Sequence, residues 1–443
     1  MLIRQGFVYA LRLKAQRQVL LRRWVGCRRF VFNAALKYQN AELAAGRGRP
    51  GYLALSTWLL GLKKVHPWLC EPPAQALQQT LKDLCTAWER KSKSKFGPPR
   101  FKKRGKGDTI RLPQYCRYNA EAGVIHLPKL GIVRLRHSRI AEGALKNVTL
   151  RLQGQRWVAA LQTEREIQVP TPVATAAVGL DFGVNVCIMP SAGTPIELPS
   201  RISRYERRIR RLQQSVSRKQ RVSANRRKAV ARLGACFRRM AAARRDFLHQ
   251  ETTRLVATHA LIAIEDLKVN AMTASAAGTI EAPGKNVRAK SSLNRAILRN
   301  GWSMARSMLQ YKAAWRGVKL VAVPAPFTSQ TCATCGHRAA ESRKTQALFQ
   351  CVACGHTENA DRNAAENILR RAQQQLARGF RGDEIGPGGS PAGTAGYAGT
   401  HACEGAQGKQ QRPRPRSAAQ GGAVRLPLAG TVSELSLSGN LHP

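Results

Sequence analysis

Four cysteines stand in two pairs, Cys332-Ala-Thr-Cys335-Gly and Cys351-Val-Ala-Cys354-Gly, with 15 residues between the pairs. Each pair can put two thiolates on one turn, each Gly supplies the tight backbone, and two such turns close a tetrahedral site. The spacing is that of a zinc ribbon. Four thiolates leave no open coordination position, so Zn2+ there would hold shape rather than activate water. His337 and His356 each follow a CxxCG turn and read as phosphate or supporting contacts rather than as ligands.

Three carboxylates carry the other candidate chemistry. Asp181 sits inside the apolar run VGLDFGV, Glu265 ends ALIAIED, and Asp361 opens a helix in ENADRNAAENILRR. A carboxylate in an apolar strand is costly unless a metal, a base or a strand edge accommodates it. Acids on strand, strand and helix can converge on two divalent ions about 4 Å apart, which activate a water and stabilise the leaving oxygen of a phosphodiester. Mg2+ suits such a site, being held by a few carboxylates with waters and substrate phosphate. From the residues alone other readings stay open: Asp361 as a helix N-cap, Glu265 paired with Lys268, Asp266 as the ligand instead, and Asp181 as a turn residue supporting Gly183.

Hydrophobic periodicity predicts the elements that must position these groups. The opening LIRQGFVYALRL alternates as a strand. Helical spacing runs from Gln16 to about Leu43, over Tyr52–Val65, and over Pro73–Lys95, where Pro98-Pro99 stops it. A basic loop, FGPPRFKKRGKG, then carries Lys102, Lys103 and Arg104. Residues 109–166 break into short β-type runs, a small twisted β-barrel or sheet into which the helical block is inserted. After a linker at 171–177 come the strands bearing Asp181 and Glu265, a helix around Leu293–Trp315 and the strand KLVAVPA. From Arg378 to Pro443 the chain is rich in Gly and Pro, and we expect a disordered tail.

Charge narrows the partner. Lys and Arg number 74 against 25 Asp and Glu, a formal net charge of +49. So large an excess repels itself unless a polyanion shares the surface, and nucleic acid fits because phosphate neutralisation releases counterions. Between Arg201 and Gln250 there are 17 Lys/Arg and two acids. Ile202, Tyr205, Ile209 and Leu212, then Val230, Leu233, Phe237 and Met240, step by three and four. We expect two long helices packed by a narrow seam, their outer faces tracking phosphates through Arg207, Arg208, Arg210, Arg211, Arg226, Arg227 and Lys228. No run is long and apolar enough for a membrane span, and the opening has neither the apolar core nor the cleavage site of a signal peptide. The other seven cysteines are scattered, which suits a reducing compartment. We therefore expect a cytoplasmic protein associated with nucleic acid.

Taken together, GLDFGV from Gly179, IEDLKV from Ile264, TSQTCATCGH from Thr328, CVACGH from Cys351 and NADRNAAENIL from Asn359 resemble the TnpB family, nucleases encoded by bacterial insertion sequences. RRFVFNAAL from Arg28 and PPRFKK from Pro98 resemble the N-terminal half of that family. The resemblance implies an α/β multidomain chain: a RuvC-like RNase H fold with a zinc-ribbon insert, preceded by a β-barrel with an inserted helical domain. It implies a catalytic, Mg2+-binding triad of Asp181, Glu265 and Asp361, and structural Zn2+ on Cys332, Cys335, Cys351 and Cys354. The corresponding domains are a wedge-like β-barrel at 1–15 and 96–170, a helical recognition domain at 16–95, a nuclease domain at 171–327 and 356–377, the zinc-ribbon insert at 328–355 and the tail at 378–443. The partners it implies are a guide RNA from the chain's own element and a double-stranded DNA target, where base pairing reads sequence and protein reads shape and a short flanking motif. The expected function is RNA-guided, metal-dependent DNA cleavage that supports maintenance or transposition of the element. The alternatives are a guided or nonspecific nucleic-acid-binding protein without cleavage, and a strand-transfer transposase on the same fold. The histidine-pair transposase chemistry is disfavoured, because none of the nine histidines lies two residues from another.

Overall fold

The structure, a computed structural model, describes residues 1–93, 97–136, 138–172 and 174–379. The expected disordered tail lies outside the described residues from 380 onward.

Period-two alternation builds the first sheet. Its strands are β1 (Leu2–Arg12), β2 (Thr109–Leu112), β3 (Arg117–Asn119), β4 (Val124–Leu127), β5 (Gly131–Arg136), β6 (Ala144–Gln153) and β7 (Arg156–Glu166). They pair antiparallel in the order β2-β6-β7-β1-β5-β4-β3. β2 and β3 are opposite edges, yet only Pro113–Cys116 joins them. Five peptide steps span at most about 18 Å, so the sheet must roll until its edges approach. The inner face buries Phe7, Tyr9, Ile125, Val148, Leu150, Trp157 and Leu161 with Trp24 from the adjoining helix.

Between β1 and β2 the chain makes α1 (Ala15–Ala44), α2 (Tyr52–Val65) and α3 (Ala74–Lys93), close to the periods read from sequence. Their shared core is Val31, Phe32, Leu36, Leu55, Leu59, Leu77, Leu81 and Leu84. Buried Gln39 is tolerated because both ends are satisfied: it donates to the Pro50 carbonyl at 2.7 Å and accepts from Trp88 Nε1 at 2.9 Å.

A second sheet holds the strands with embedded acids. β8 (Ala177–Asp181), β9 (Met189–Pro190), β10 (Leu261–Glu265) and β11 (Lys319–Val323) lie in the order β11-β10-β8-β9. β8, β10 and β11 are parallel, and β9 is an antiparallel edge. Parallel strands covered on both faces read as unbroken apolar runs, and Val178–Leu180 and Ile262–Ile264 are wholly buried.

Helices α4 (Ser200–Ser217), α5 (Ala224–Thr258), α6 (Val269–Met272), α7 (Val287–Asn300), α8 (Trp302–Arg316) and α9 (Ala360–Ala377) complete the unit, with a small hairpin of β12 (Leu348–Gln350) and β13 (Thr357–Asn359). The single helix expected around Leu293–Trp315 is two helices. Gly301 takes a φ of 75°, ends α7 and starts α8, a conformation that only glycine adopts cheaply. No described helix is long and apolar enough to cross a membrane.

α9 lies directly on β8, and Gly179 makes this possible. A Cβ there would collide with the Ala365 carbonyl oxygen and stand 2.9 Å from the Leu369 nitrogen. Both obstacles are backbone and cannot rotate away. Gly179→Ala should therefore lift α9 off the sheet. We expect a loss of at least about 1–3 kcal/mol, read as a lower midpoint in chemical denaturation; an unchanged midpoint would contradict this packing.

Candidate active site

Asp181 is the last residue of β8, Glu265 the last of β10, and Asp361 lies in the first turn of α9. Ligand sites in open α/β sheets form outside the carboxyl ends of parallel strands, and both strand acids stand there. Three of the alternatives left open by the sequence can be set against the contacts made here. The N-cap of α9 is Asn359, whose side chain accepts from the Asp361 and Arg362 N–H groups at 3.0 and 3.2 Å, so Asp361 keeps its carboxylate free of that task. Glu265 accepts from Thr328 Oγ1 at 2.6 Å rather than pairing with Lys268. Asp266 points elsewhere, into an ion pair with Arg306 at 2.7 Å.

The turn after Asp181 is fixed from outside. Asn300 donates to the Gly183 and Val184 carbonyls at 2.7 and 2.9 Å, and Trp302 Nε1 donates to the Gly183 carbonyl at 3.2 Å. A Cβ on Gly183 would sit 2.7 Å from the Val186 carbonyl and 3.8 Å from Asp361 Oδ2, so the turn also passes close to the third acid.

Burial, then Glu265, then Asp361 push the Asp181 carboxyl up to about 7. Burial raises Glu265, opposed by the Thr328 hydrogen bond and Arg371. Burial raises Asp361 too, opposed by Arg343, whose guanidinium stands 3.5 Å from its carboxylate. Asp181 thus feels both neighbouring carboxylates, while Arg343 and Arg371 offset charge at Asp361 and Glu265. Among the described residues it is the cysteines, and not these acids, whose ligand atoms all lie within 4.8 Å of one another.

The four cysteines are drawn together in that way, with all their Sγ atoms within 4.8 Å of one another. Cys332 and Cys354 Sγ are 3.7 Å apart, and Cys335 and Cys351 Sγ are 3.6 Å apart. A tetrahedron with metal–sulfur bonds of about 2.3 Å has edges of about 3.8 Å, so the thiols fit one such ion. The two turns are copies of each other. Gly336 and Gly355, with φ of 78° and 74°, donate to the Cys332 and Cys351 carbonyls at 3.0 Å. The quartet contains no histidine; the His356 ring faces Glu358 at 3.5 Å.

Sequence reasoning missed the residues that join these two centres. Buried Asn363 of α9 accepts from the Ala333 N–H at 2.8 Å and donates to the Thr331 carbonyl at 2.8 Å. Buried Asn367 donates to the Thr328 and Thr331 carbonyls at 3.0 and 2.6 Å. Both lie in the NADRNAAENIL motif, so their polarity inside a helical repeat was the available signal. Arg343 lies between the CxxC pairs with no pattern to mark it.

The expected basic residues divide between elements. Arg207, Arg208, Arg210 and Arg211 are exposed on α4, and Arg226, Arg227 and Lys228 lie in the first turns of α5, none with a carboxylate partner among the described residues. Lys103 and Arg104 are exposed in the loop before β2. Lys102 differs: its ammonium lies 4.6 Å from the Phe32 ring centroid, and its backbone N–H donates to Asn33 at 2.7 Å, which pins the loop to α1.

Comparison with known proteins gives these features a family. A profile described as "Probable transposase" matches residues 160–276, one described as "Cas12f1-like, TNB domain" matches 302–368, and a "Helix-turn-helix domain" profile matches 1–48. The last range holds one strand and one long helix here. The Escherichia coli (strain K12) protein "Putative RNA-guided DNA endonuclease InsQ" is 43% identical over 380 residues, 85% of this chain and 94% of that protein. This chain belongs to the TnpB family. A second TnpB-family relative, from Streptomyces pristinaespiralis and with the same designation, is 33% identical over 87% of this chain and 92% of its own length. The TnpB fold is also similar to the chain in "Cryo-EM structure of the Cas12f1-sgRNA-target DNA complex", with a TM-score of 0.52 and 14% identity over 81% of this chain and 83% of that one.

The raised Asp181 carboxyl carries a sign for stability in the ion-free chain. A folded-state value above the unfolded one stabilises at low pH, and that contribution is lost as pH rises toward and through about 7. Asp181→Asn removes the charge. It should raise the melting temperature of the metal-free chain clearly more at pH 8 than at pH 5, because the penalty on the charged form grows from the ordinary value of 3.8 up to about 7; equal shifts at both would contradict the cluster.

Proposed function

We propose that this chain is an RNA-guided DNA endonuclease of a bacterial insertion sequence, cutting DNA beside a short motif. The observation that carries the reading is the convergence of Asp181, Glu265 and Asp361 at one end of the parallel strands, where Glu265 and Asp361 both push the Asp181 carboxyl up. The names of the relatives, the family profiles and the solved fold support it. On this reading the second sheet with α9 is a RuvC-like RNase H domain at 171–327 and 356–377, the segment 328–355 is a zinc ribbon, and the rolled sheet with its inserted helices is the wedge and recognition part.

The donor set is three carboxylate oxygens with no nitrogen or sulfur, which suits hard Mg2+. Such ions, when bound, activate water and stabilise the leaving phosphodiester oxygen. The residues of the chain do the rest. Thr328 orients the Glu265 carboxylate, Asn300 and Trp302 hold the turn behind Asp181, and Arg343 offsets charge beside Asp361. The cysteine quartet fits structural Zn2+, and its contacts to Asn363 and Asn367 key α9 to the insert. The arginines of α4 and α5, with Lys102, Lys103 and Arg104, are proposed to contact guide or target phosphates.

Co-expression with RNA from its own locus, followed by plasmid cleavage, tests the reading. We expect Mg2+-dependent cuts at guide-matched sites that fall to background in Asp181→Ala. Guide-dependent binding without cutting by either form would instead leave a guided binding protein. For the cysteines, elemental analysis should find about one zinc per chain, and Cys351→Ser should lose it; a zinc-free wild-type chain purified without chelator would refute the ribbon.

A further inference from the structure

A cavity of about 440 Å³ opens beside the acids, with Glu265 in its wall. Phe182, the residue after Asp181, and Trp302 form apolar parts of the lining. Besides Glu265, the polar lining is Lys268, Arg306, Ser303, Ser307 and Asn270, with two cations among them. Lys268 is exposed and has no carboxylate partner among the described residues. Arg306 Nη1 donates to Asp266 at 2.7 Å; a guanidinium has five N–H donors in a rigid fork, so donors remain after one contact.

The placement of these groups is what singles out the cavity. Lys268 follows Glu265 by three residues, and Arg306 lies one turn beyond Trp302, which holds the Asp181 turn. The elements that fix two of the acids therefore also bring two cations to one side of them. A cavity of this volume has room for a phosphate with part of one nucleotide. Metal-binding acids repel the phosphates of the strand they cut, and a cationic subsite next to them offsets that repulsion.

We propose that Lys268 and Arg306 form a phosphate-binding subsite for the single DNA strand entering the catalytic centre, holding a phosphate next to the one that is cut. Asp266 neutralises Arg306 while the subsite is empty. The inference rests on the nuclease reading of the neighbouring acids, and it assigns positioning residues, not catalytic ones.

The test uses the full chain loaded with its guide RNA. Single-stranded oligonucleotides of the target sequence carry one neutral methylphosphonate, moved position by position around the cut site. Arg306→Gln and Lys268→Gln should each weaken strand use roughly tenfold or more, the scale of a charge-assisted hydrogen bond. One methylphosphonate position should slow the wild type by a similar factor and add nothing further in Arg306→Gln. Asp266→Asn separates this from a structural ion pair: it should leave strand use intact or improved, whereas a structural pair would make it as harmful as Arg306→Gln. Additive effects at every position, or an equally damaging Asp266→Asn, would overturn the subsite. Affinities measured in parallel with Asp181→Asn keep the two claims apart. Coupling in binding with no cutting by the wild type would support the subsite and sink the nuclease reading; normal cutting without coupling would do the reverse.

Discussion

The site depends on how closely α9 can approach β8. A helix rests on a strand at side-chain distance unless one element presents bare backbone, and Gly179 does so against Ala365 and Leu369. With α9 seated there, its first turn carries Asp361 to the ends of β8 and β10, where Asp181 and Glu265 already stand. The same helix then presents Asn363 and Asn367 to the carbonyls and N–H groups around the first cysteine turn. One glycine thus sets both the third acid and the seat of the cysteine insert.

Electrostatics runs in opposite senses across the molecule. The chain carries +49 overall, yet the cluster at the ends of β8 and β10 is anionic. The long-range field favours a polyanion, while the carboxylates would repel it at the last step. On the proposed function, divalent ions held by the acids would resolve that conflict. The chain itself supplies Arg343 on one side and Arg306 with Lys268 on another. Selectivity for a correctly placed strand can arise from this contrast between general attraction and local repulsion.

Much of this was legible in the sequence where a rule is local. CxxC spacing located the cysteine quartet, period-two and 3.6 patterns located the strands and long helices, and acids in apolar runs marked Asp181 and Glu265. What failed to show is non-local. Gly301 inside an otherwise helical pattern gave no sign that α7 and α8 part there, because its role is visible only in its positive φ. Asp361 looked like a cap, since nothing in a linear string says that Asn359 takes that task. Arg343, Thr328 and Asn300 act across 18, 63 and more than a hundred residues of chain, a range no window of periodicity reaches.

The seating of α9 on β8 has a consequence for the chain as it is being made. Asp181 and Glu265 leave the ribosome early, but the helix that completes their site is the last described element, ending at Ala377. Contacts so distant in sequence form late and slowly. A nascent or prematurely terminated chain lacking α9 thus carries two of the three acids and a Gly179 without its helix, and the three-acid cluster is incomplete. In this fold the order of the chain delays completion of the three-acid site until α9 has been made.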